Sequence, residues 1–181
     1  MSSVGGSRWT GTTPADGVTL VRAVLVAGCA VRVLTGRGRP RGWGLPVVAG
    51  VAWALDGVDG YVARRTGTVS ERGGRWDNTT DATLVAVLAT AVAGAAPWAP
   101  AGAALYPAYR LGQRVRPAWR RPLPGSRRGK VVGGVLTGTL LGATVPGMPR
   151  AVVRPAVAVA VGLVTWSFAV DLTWLERQAR S

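Results

Sequence analysis

The stretch of sequence that decides the fold is residues 82–109, which read ATLVAVLATAVAGAAPWAPAGAALYPAY and carry no charge. Two further uncharged runs follow at 131–149 and 155–170. A helix needs about 20 apolar residues to cross the ~30 Å hydrocarbon core of a bilayer. The Ala and Gly that dominate these runs are the small residues that let membrane helices pack closely. The runs therefore predict an all-α integral membrane bundle.

Composition narrows the possible functions. The 181 residues suit one domain, and 22 basic against 8 acidic residues give a net charge of +14. There is no histidine and only one cysteine, Cys29, which excludes Ser-His-Asp and Cys-His catalysis, histidine metal sites and an intramolecular disulfide. The positive charge alone would also fit a nucleic-acid binder. Three long apolar runs argue against that class, so we expect no nucleic-acid partner.

Charged residues and prolines divide the chain into six predicted transmembrane helices. Pro97 and Pro100 favour a hairpin between the third and fourth helices, although one long helix or a re-entrant segment is the alternative. Residues 1–15 are rich in Ser, Gly and Thr and are expected to be flexible. The membrane catalytic domain is placed at 16–175 and a short cytoplasmic tail at 176–181. The six predicted helices cover about 17–35, 43–63, 77–96, 98–113, 130–148 and 151–173.

The distribution of basic residues predicts the orientation. With six spans and a cytoplasmic N-terminus, fifteen Arg and Lys residues fall on the cytoplasmic side and five on the other. Cytoplasmic loops carry an excess of Lys and Arg. We therefore expect a multi-pass protein of the cell membrane with both termini in the cytoplasm.

Half of the acids are clustered in a short part of the chain, at Asp56, Asp59, Asp77 and Asp81. The first two are three residues apart and the last two are four apart, so each pair shares one face of its helix. The stretch between the pairs is predicted to be rich in turns because it contains Gly67, Gly73 and Gly74. A short connection makes the two helices antiparallel neighbours, and the four carboxylates then converge near the cytoplasmic end.

Four convergent carboxylates repel one another unless cations offset their charge. Oxygen ligands select hard ions such as Mg²⁺, Mn²⁺ or Ca²⁺. Four aspartates suit a two-metal site, which stabilises the attacking and leaving oxygens of a phosphoryl-type transfer. Gly60 and Gly73 lack side chains where a phosphate or ribose would need to approach closely. The cluster therefore predicts metal-dependent phosphoryl-type transfer, with unrelated acids at a helix end as the alternative.

The spacing of these residues matches a family motif. It reads Asp56-Gly-Val-Asp59-Gly60-Tyr-Val-Ala63-Arg64, eight residues, and then Gly73-Gly-Arg-Trp-Asp77-Asn-Thr-Thr-Asp81. It resembles the D-x2-D-G-x2-A-R-x8-G-x3-D-x3-D motif of the CDP-alcohol phosphotransferases at every defining position. The six-helix layout extends a weaker resemblance over about 17–173.

The resemblance implies a fold and a reaction. Members of this family are membrane enzymes with six helices around a polar cavity that faces the cytoplasm, and they are commonly dimers. They transfer a substituted phosphate from a CDP-alcohol, often CDP-diacylglycerol, to a hydroxyl acceptor and release CMP. The resemblance therefore implies a CDP-alcohol and a hydroxyl acceptor as substrates, the bilayer as environment and a homodimer as assembly.

The resemblance also implies roles for individual residues. Asp56, Asp59 and Asp77 would hold a divalent metal, Mg²⁺ or Mn²⁺, and Asp81 would lie close to a second ion. Asp81 would also be the catalytic base that takes the proton of the acceptor. The CDP site would be lined by Gly60, Ala63, Arg64 and Gly73.

The start of the first predicted helix carries a shorter match. Asp16-Gly-Val-Thr19-Leu-Val-Arg22 is similar to the opening N-x-x-T-x-x-R of the family, with Asp16 in place of Asn. Thr19 and Arg22 would then reach the nucleotide or close the cavity. The alternative is an ordinary helix start whose arginine extends to the membrane surface.

Three basic residues are candidates for binding an acceptor that carries phosphate. Many members of the family use a polyol phosphate such as glycerol phosphate or inositol phosphate, which requires fixed cations. Arg110, Arg127 and Lys130 fall near the end of the fourth and the start of the fifth predicted helix. The alternative is that they belong to a basic loop that only orients the protein.

Other functions remain open at this point. Trp76, Asn78 and Ala82 depart from residues common in the family, which fits a divergent branch with another acceptor or CDP-alcohol. A membrane carrier of divalent cations could use the same acids, although all four are expected near one membrane face. A catalytically inactive member that acts as an interaction protein is the third alternative.

Overall fold

The computed structural model describes residues 14–36, 42–66, 71–120 and 127–180, and within these ranges the chain forms helices and no strand. The all-α prediction is therefore confirmed there. Most of the predicted flexible segment 1–15 lies outside the described residues. The described ranges contain six α-helices and a 3₁₀ turn at Pro117–Arg120. The helices are α1 (Pro14–Leu34), α2 (Gly44–Thr66), α3 (Glu71–Val92), α4 (Ala99–Val115), α5 (Arg127–Ala143) and α6 (Arg150–Arg180).

The third helix begins earlier than the sequence predicts. It was expected to start near Asp77, after a turn containing Gly73 and Gly74, but α3 begins at Glu71 and includes both glycines. The prediction of a turn at these two residues is therefore wrong. A glycine costs a helix interior about 1 kcal/mol relative to alanine, yet an acidic residue in the first turn interacts favourably with the helix dipole. Residues 67–70 lie outside the described ranges.

The other helix limits agree with the prediction to within a few residues, except at two ends. The hairpin between α3 and α4 is present, and Pro100 stands in the first turn of α4. The fifth helix ends at Ala143 and not near 148, and Pro146 and Gly147, which has a positive φ of 84°, stand in the turn that leads to α6. The last helix continues to Arg180, so it includes most of the predicted tail 176–181.

The core is built around α3, which packs against α1, α4 and α5. Its inward stripe is Leu84, Leu88 and Val92, at the spacing of one helix face. The remaining core side chains are small or branched, and they include Val26, Cys29, Ala49, Ala52, Leu136, Leu140, Val157 and Val164. Close packing of short apolar side chains therefore holds the six helices together.

The outer surface of the bundle is also apolar. Leu20, Val24 and Leu34 of α1 are 65%, 69% and 80% exposed, and α6 presents Val159 and Trp166 in the same way. Many exposed apolar side chains on outward helix faces are typical of a surface that contacts a membrane or another protein. The stretch Arg150–Ala179 is long and apolar enough to cross a bilayer, and it is the one such helix within the described residues. Gly44–Gly57 and Thr79–Val92 are shorter apolar stretches.

One end of the bundle carries a cleft, and the opposite end carries the motif aspartates. At the end formed by the α1–α2, α3–α4 and α5–α6 connections, the Arg154 side chain donates a 3.0 Å hydrogen bond from Nε to the carbonyl of Ala95. A cleft of about 530 Å³ at this end is lined by Val33, Ala95 and Met148, among others. The motif aspartates lie at the opposite end, where α2 ends and α3 begins.

Candidate active site

The candidate site begins with a buried arginine on α1. Arg22 has no exposed surface, and it lies four and seven residues before the buried Val26 and Cys29. These three residues therefore share the inward face of α1. The apolar stripe of this helix ends in a guanidinium at the end of the bundle that carries the motif.

The inward stripes of α2 and α3 end in carboxylates in the same way. Ala49 and Ala52 are fully buried, and Asp56 follows Ala52 after one helical turn on the same face. On α3, Asp81 precedes the fully buried Leu88 by seven residues, so it also continues the core face. The polar site is therefore an extension of the apolar core, with one charged residue from each of three helices.

Arg22 joins the two carboxylates. Its Nη1 lies 2.6 Å from Oδ1 of Asp56, and its Nη2 donates a hydrogen bond to Oδ1 of Asp81. The Arg22 side chain is fully buried, whereas 28% of Asp56 and 42% of Asp81 remain exposed. The guanidinium thus forms the floor of the site, and the two carboxylates above it can be reached from outside the bundle.

The structure therefore brings together the first and the last aspartate of the motif. Asp59 is on α2 and Asp77 on α3, each about one helical turn farther toward the end of the bundle. Their side chains lie outside the described part of the structure. Within the described side chains, no group of three acids comes together.

The remaining predicted CDP-site residues are placed by their helices alone. Gly60, Ala63 and Arg64 are in the last turns of α2, Gly73 is in the first turn of α3, and Thr19 is on α1. Since α2 ends and α3 begins at the motif end of the bundle, all five belong to the same end as Asp56 and Asp81. Their side chains are not among those that the structure describes.

A second charged group lies at the start of α5. Arg128 donates a hydrogen bond from Nη2 to Oδ1 of Asp171 on α6, and its guanidinium lies 5.5 Å from the centroid of the Trp166 ring. This side chain therefore joins α5 to α6. Sequence reasoning missed its partner, because Asp171 lies 43 residues away in the chain and neither residue belongs to a motif.

An aromatic corner, formed by Tyr109, Trp119 and Phe168, fixes the end of α4 against α6. The rings of Tyr109 and Trp119 are stacked at 6.3 Å, and Tyr109 meets Phe168 edge-on at 5.9 Å. Trp119 donates a 2.8 Å hydrogen bond from Nε1 to Glu176. The Trp119 ring lies so close to the backbone of Gly112 that a Cβ there would be 2.2 Å from it. This corner requires glycine at 112.

The three predicted acceptor cations are at the motif end of the bundle. Arg110 and Lys130 are both exposed, so neither is committed to the core. Arg127 is the first residue of α5, and its side chain is outside the described set. Arg127 and Lys130 are three residues apart and share a helix face, whereas Arg128 is turned toward α6. No distance among the three cations follows from the described side chains.

A comparison with protein families identifies the fold and the reaction class. The family model for CDP-alcohol phosphatidyltransferase matches residues 12–170. The chain belongs to this family. The match contains α1 to α5 and most of α6, and it includes the four motif aspartates and Arg22. No curated protein and no solved structure matches the chain in the corresponding comparisons.

Membership of the CDP-alcohol phosphatidyltransferase family confirms the resemblance that the motif indicates. The family is a membrane one, and its reaction is phosphotransfer from a CDP-alcohol to a hydroxyl acceptor. Sequence reasoning left the role of Arg22 open between a nucleotide contact and an ordinary surface arginine. Its burial follows from the inward face of α1 that it shares with Val26 and Cys29, and the packed structure shows which face that is.

Proposed function

We propose that this protein is a membrane enzyme that transfers a phosphatidyl group from CDP-diacylglycerol, or the corresponding group of another CDP-alcohol, to a hydroxyl acceptor with release of CMP. One observation carries the proposal beyond the family match. The first and last aspartates of the motif, on two different helices, meet at one guanidinium and stay open to solvent. Accessible carboxylates attract divalent cations, and an anionic diphosphate substrate needs such cations on its phosphates.

The donor set fits a hard divalent cation. Asp56 and Asp81 place carboxylate oxygens within reach of one cationic group, and Asp59 and Asp77 add two more carboxylates at the same end. Four aspartates carry four negative charges, of which Arg22 offsets one. We therefore propose that Asp56, Asp59, Asp77 and Asp81 hold two Mg²⁺ or Mn²⁺ ions. When bound, these ions would neutralise charge on the diphosphate of the donor.

Asp81 is the proposed general base. It takes the proton from the acceptor hydroxyl on a carboxylate oxygen, and the hydroxyl oxygen then forms the new bond to phosphorus while the CMP oxygen leaves. Its side chain is 42% exposed, so an acceptor can approach it directly. A positioned base of this kind contributes roughly 10²- to 10⁴-fold to the rate.

The CDP moiety is proposed to bind beside the end of α2 and the start of α3. Gly60, Ala63 and Gly73 have little or no side chain, which allows close approach of the nucleotide. Arg64 would offset phosphate charge, and Thr19 would contribute from α1. All five residues belong to the motif end of the bundle.

The acceptor is proposed to be a polyol phosphate, such as glycerol phosphate or inositol phosphate, in a pathway of phospholipid synthesis. Arg110, Arg127 and Lys130 are the proposed ligands of its phosphate. The exposure of Arg110 and Lys130 supports this assignment, because a soluble anion must reach its ligands from the aqueous side.

The proposed setting is the cell membrane, with six spans, both termini in the cytoplasm and the active site facing the cytoplasm. The exposed apolar faces of α1 and α6 support contact with lipid. The proposed assembly is a homodimer. A donor with acyl chains can then enter from the bilayer, while the acceptor arrives from the cytosol.

The test is CMP release by the full chain in membranes with Mg²⁺ or Mn²⁺, CDP-diacylglycerol and a panel of acceptors. The panel comprises glycerol phosphate, inositol phosphate, inositol, serine and phosphatidylglycerol, with products identified by mass. Asp81→Asn should lower turnover by roughly 10²- to 10⁴-fold. Asp171→Asn is the matched control, because Asp171 is an acid at the same end of the bundle outside the motif, and it should retain turnover. Undiminished turnover in Asp81→Asn protein would contradict the assigned mechanism.

A further inference from the structure

We infer that Arg22 is a positioning residue that competes with the divalent cation for the oxygens of Asp56 and Asp81. The inference rests on the proposed function, because the competing ion is the one proposed for the four aspartates. The two ion pairs of Arg22 described above are made to carboxylate oxygens that a metal ion could also use, Oδ1 of Asp56 and Oδ1 of Asp81. Two cationic groups that use the same oxygens weaken each other's binding.

The burial of Arg22 makes this competition strong. Its side chain is fully enclosed, so the guanidinium cannot exchange its carboxylate partners for water without a rearrangement of α1. Removing one partner of a buried ion pair leaves an uncompensated charge and is strongly destabilising. A divalent ion that takes these oxygens must therefore displace Arg22 from them. The net affinity of the site for the metal is then lower than it would be without Arg22.

The same contacts link three helices. Arg22 is on α1, Asp56 on α2 and Asp81 on α3, and α1 packs against both of the others. The guanidinium thus keeps two like-charged groups close together that would otherwise repel. Arg22 holds the carboxylates in place and also lowers their affinity for the metal. Its removal should therefore destabilise the metal-free protein and tighten metal binding.

The direction of the change in metal affinity decides the question. In Arg22→Gln protein, competition predicts that the dissociation constant for Mn²⁺ falls, by roughly 5- to 150-fold for a coupling of ordinary size. Without divalent ions, the same variant should unfold at a lower temperature than wild type. If Arg22 only shapes the site for the metal, its removal should weaken Mn²⁺ binding.

The experiment is a titration of the purified full chain in detergent with Mn²⁺, with free Mn²⁺ measured by electron paramagnetic resonance. Thermal unfolding is followed in parallel in the presence of a chelator. Arg32→Gln is the matched control, because it removes an exposed arginine at the other end of the same helix. It should leave the Mn²⁺ dissociation constant unchanged.

Arg22→Lys provides a second variant that keeps the charge. A lysine ammonium is a compact point charge that cannot match the planar fork of arginine, so its Mn²⁺ dissociation constant should lie between those of wild type and Arg22→Gln. An unchanged or raised dissociation constant in either Arg22 variant overturns the inference. Should the Arg22→Gln protein not fold, the Arg22→Lys protein alone decides by the same criterion.

The outcome is separable from that of the proposed function. Tighter Mn²⁺ binding by Arg22→Gln protein, together with no CMP release from any CDP-alcohol by wild type, supports the competition and contradicts the enzyme proposal. CMP release by wild type, together with an unchanged Mn²⁺ dissociation constant in the Arg22 variants, supports the enzyme proposal and contradicts the competition.

Discussion

Replacing Arg128 with alanine should lower the free energy of unfolding by about 2 kcal/mol. The side chains of Arg128 and Asp171 are 32% and 22% exposed. Breaking a fully buried pair costs about 3–5 kcal/mol, and an exposed pair contributes about 0–1 kcal/mol. Partial exposure places this pair between these limits, at about 1–2 kcal/mol, and the contact with the Trp166 ring adds about 0.5–1 kcal/mol.

The assay is thermal unfolding of the full chain in detergent. For a chain of this size, 2 kcal/mol corresponds to a decrease of roughly 4–8 °C in Tm. Asp171→Ala and the double variant complete a double-mutant cycle, which should give a coupling of about 1 kcal/mol or more. A Tm within about 1 °C of wild type for Arg128→Ala would refute this reasoning. Strict additivity in the double variant would refute it equally.

Lys130→Ala is the matched comparison, two residues along α5. Lys130 is exposed, so its removal should change stability by no more than about 0.5 kcal/mol. Because Lys130 is a proposed ligand of the acceptor phosphate, its removal should raise KM for the acceptor and leave KM for the CDP-alcohol unchanged. A selective rise in acceptor KM for Arg128→Ala, without loss of stability, would contradict this assignment. Arg128 would then bind the acceptor phosphate and would not stabilise the packing of α5 against α6.

Two further predictions concern contacts between helices, one of them a packing contact and the other a hydrogen bond. Gly102→Ala should destabilise the protein by about 1 kcal/mol in thermal unfolding, because the new Cβ would lie 2.9 Å from Cγ2 of Val161 and overpacking outweighs the gain in helix propensity. Gly134→Ala, with no atom within 4 Å of the new Cβ, should not destabilise it. Trp119→Phe removes the hydrogen bond to Glu176 and should cost about 1–2 kcal/mol. An unchanged Tm in either the Gly102 or the Trp119 variant would contradict these assignments.

The sequence predicted those parts of the site that depend on local spacing. The distances of three and four residues place each aspartate pair on one helix face, and the prolines at 97 and 100 separate two helices. Both features follow from the geometry of a single helix. The convergence of Asp56 and Asp81 across two helices was predicted as well, because a short connection requires neighbouring helices to be antiparallel.

What the sequence could not predict depends on packing between distant segments. Arg22 stands in a helix that is apolar on nearly all sides, so periodicity alone does not show which face is inward. The pairing of Arg128 with Asp171 joins residues without a common motif. The start of α3 was misjudged because Gly73 and Gly74 resemble a turn, and helix propensity is readily overridden by tertiary context.

The lengths of the helices have a consequence for the surrounding lipid. Helices α4 and α5 have 17 residues each, which span only about 25 Å, whereas the 31 residues of α6 span about 45 Å. In the proposed six-span arrangement, α4 and α5 are shorter than the ~30 Å hydrocarbon core. A bilayer adapts to such hydrophobic mismatch by local thinning. Thinning beside these two helices would bring the headgroup of the proposed lipid donor closer to the depth of the proposed water-soluble acceptor.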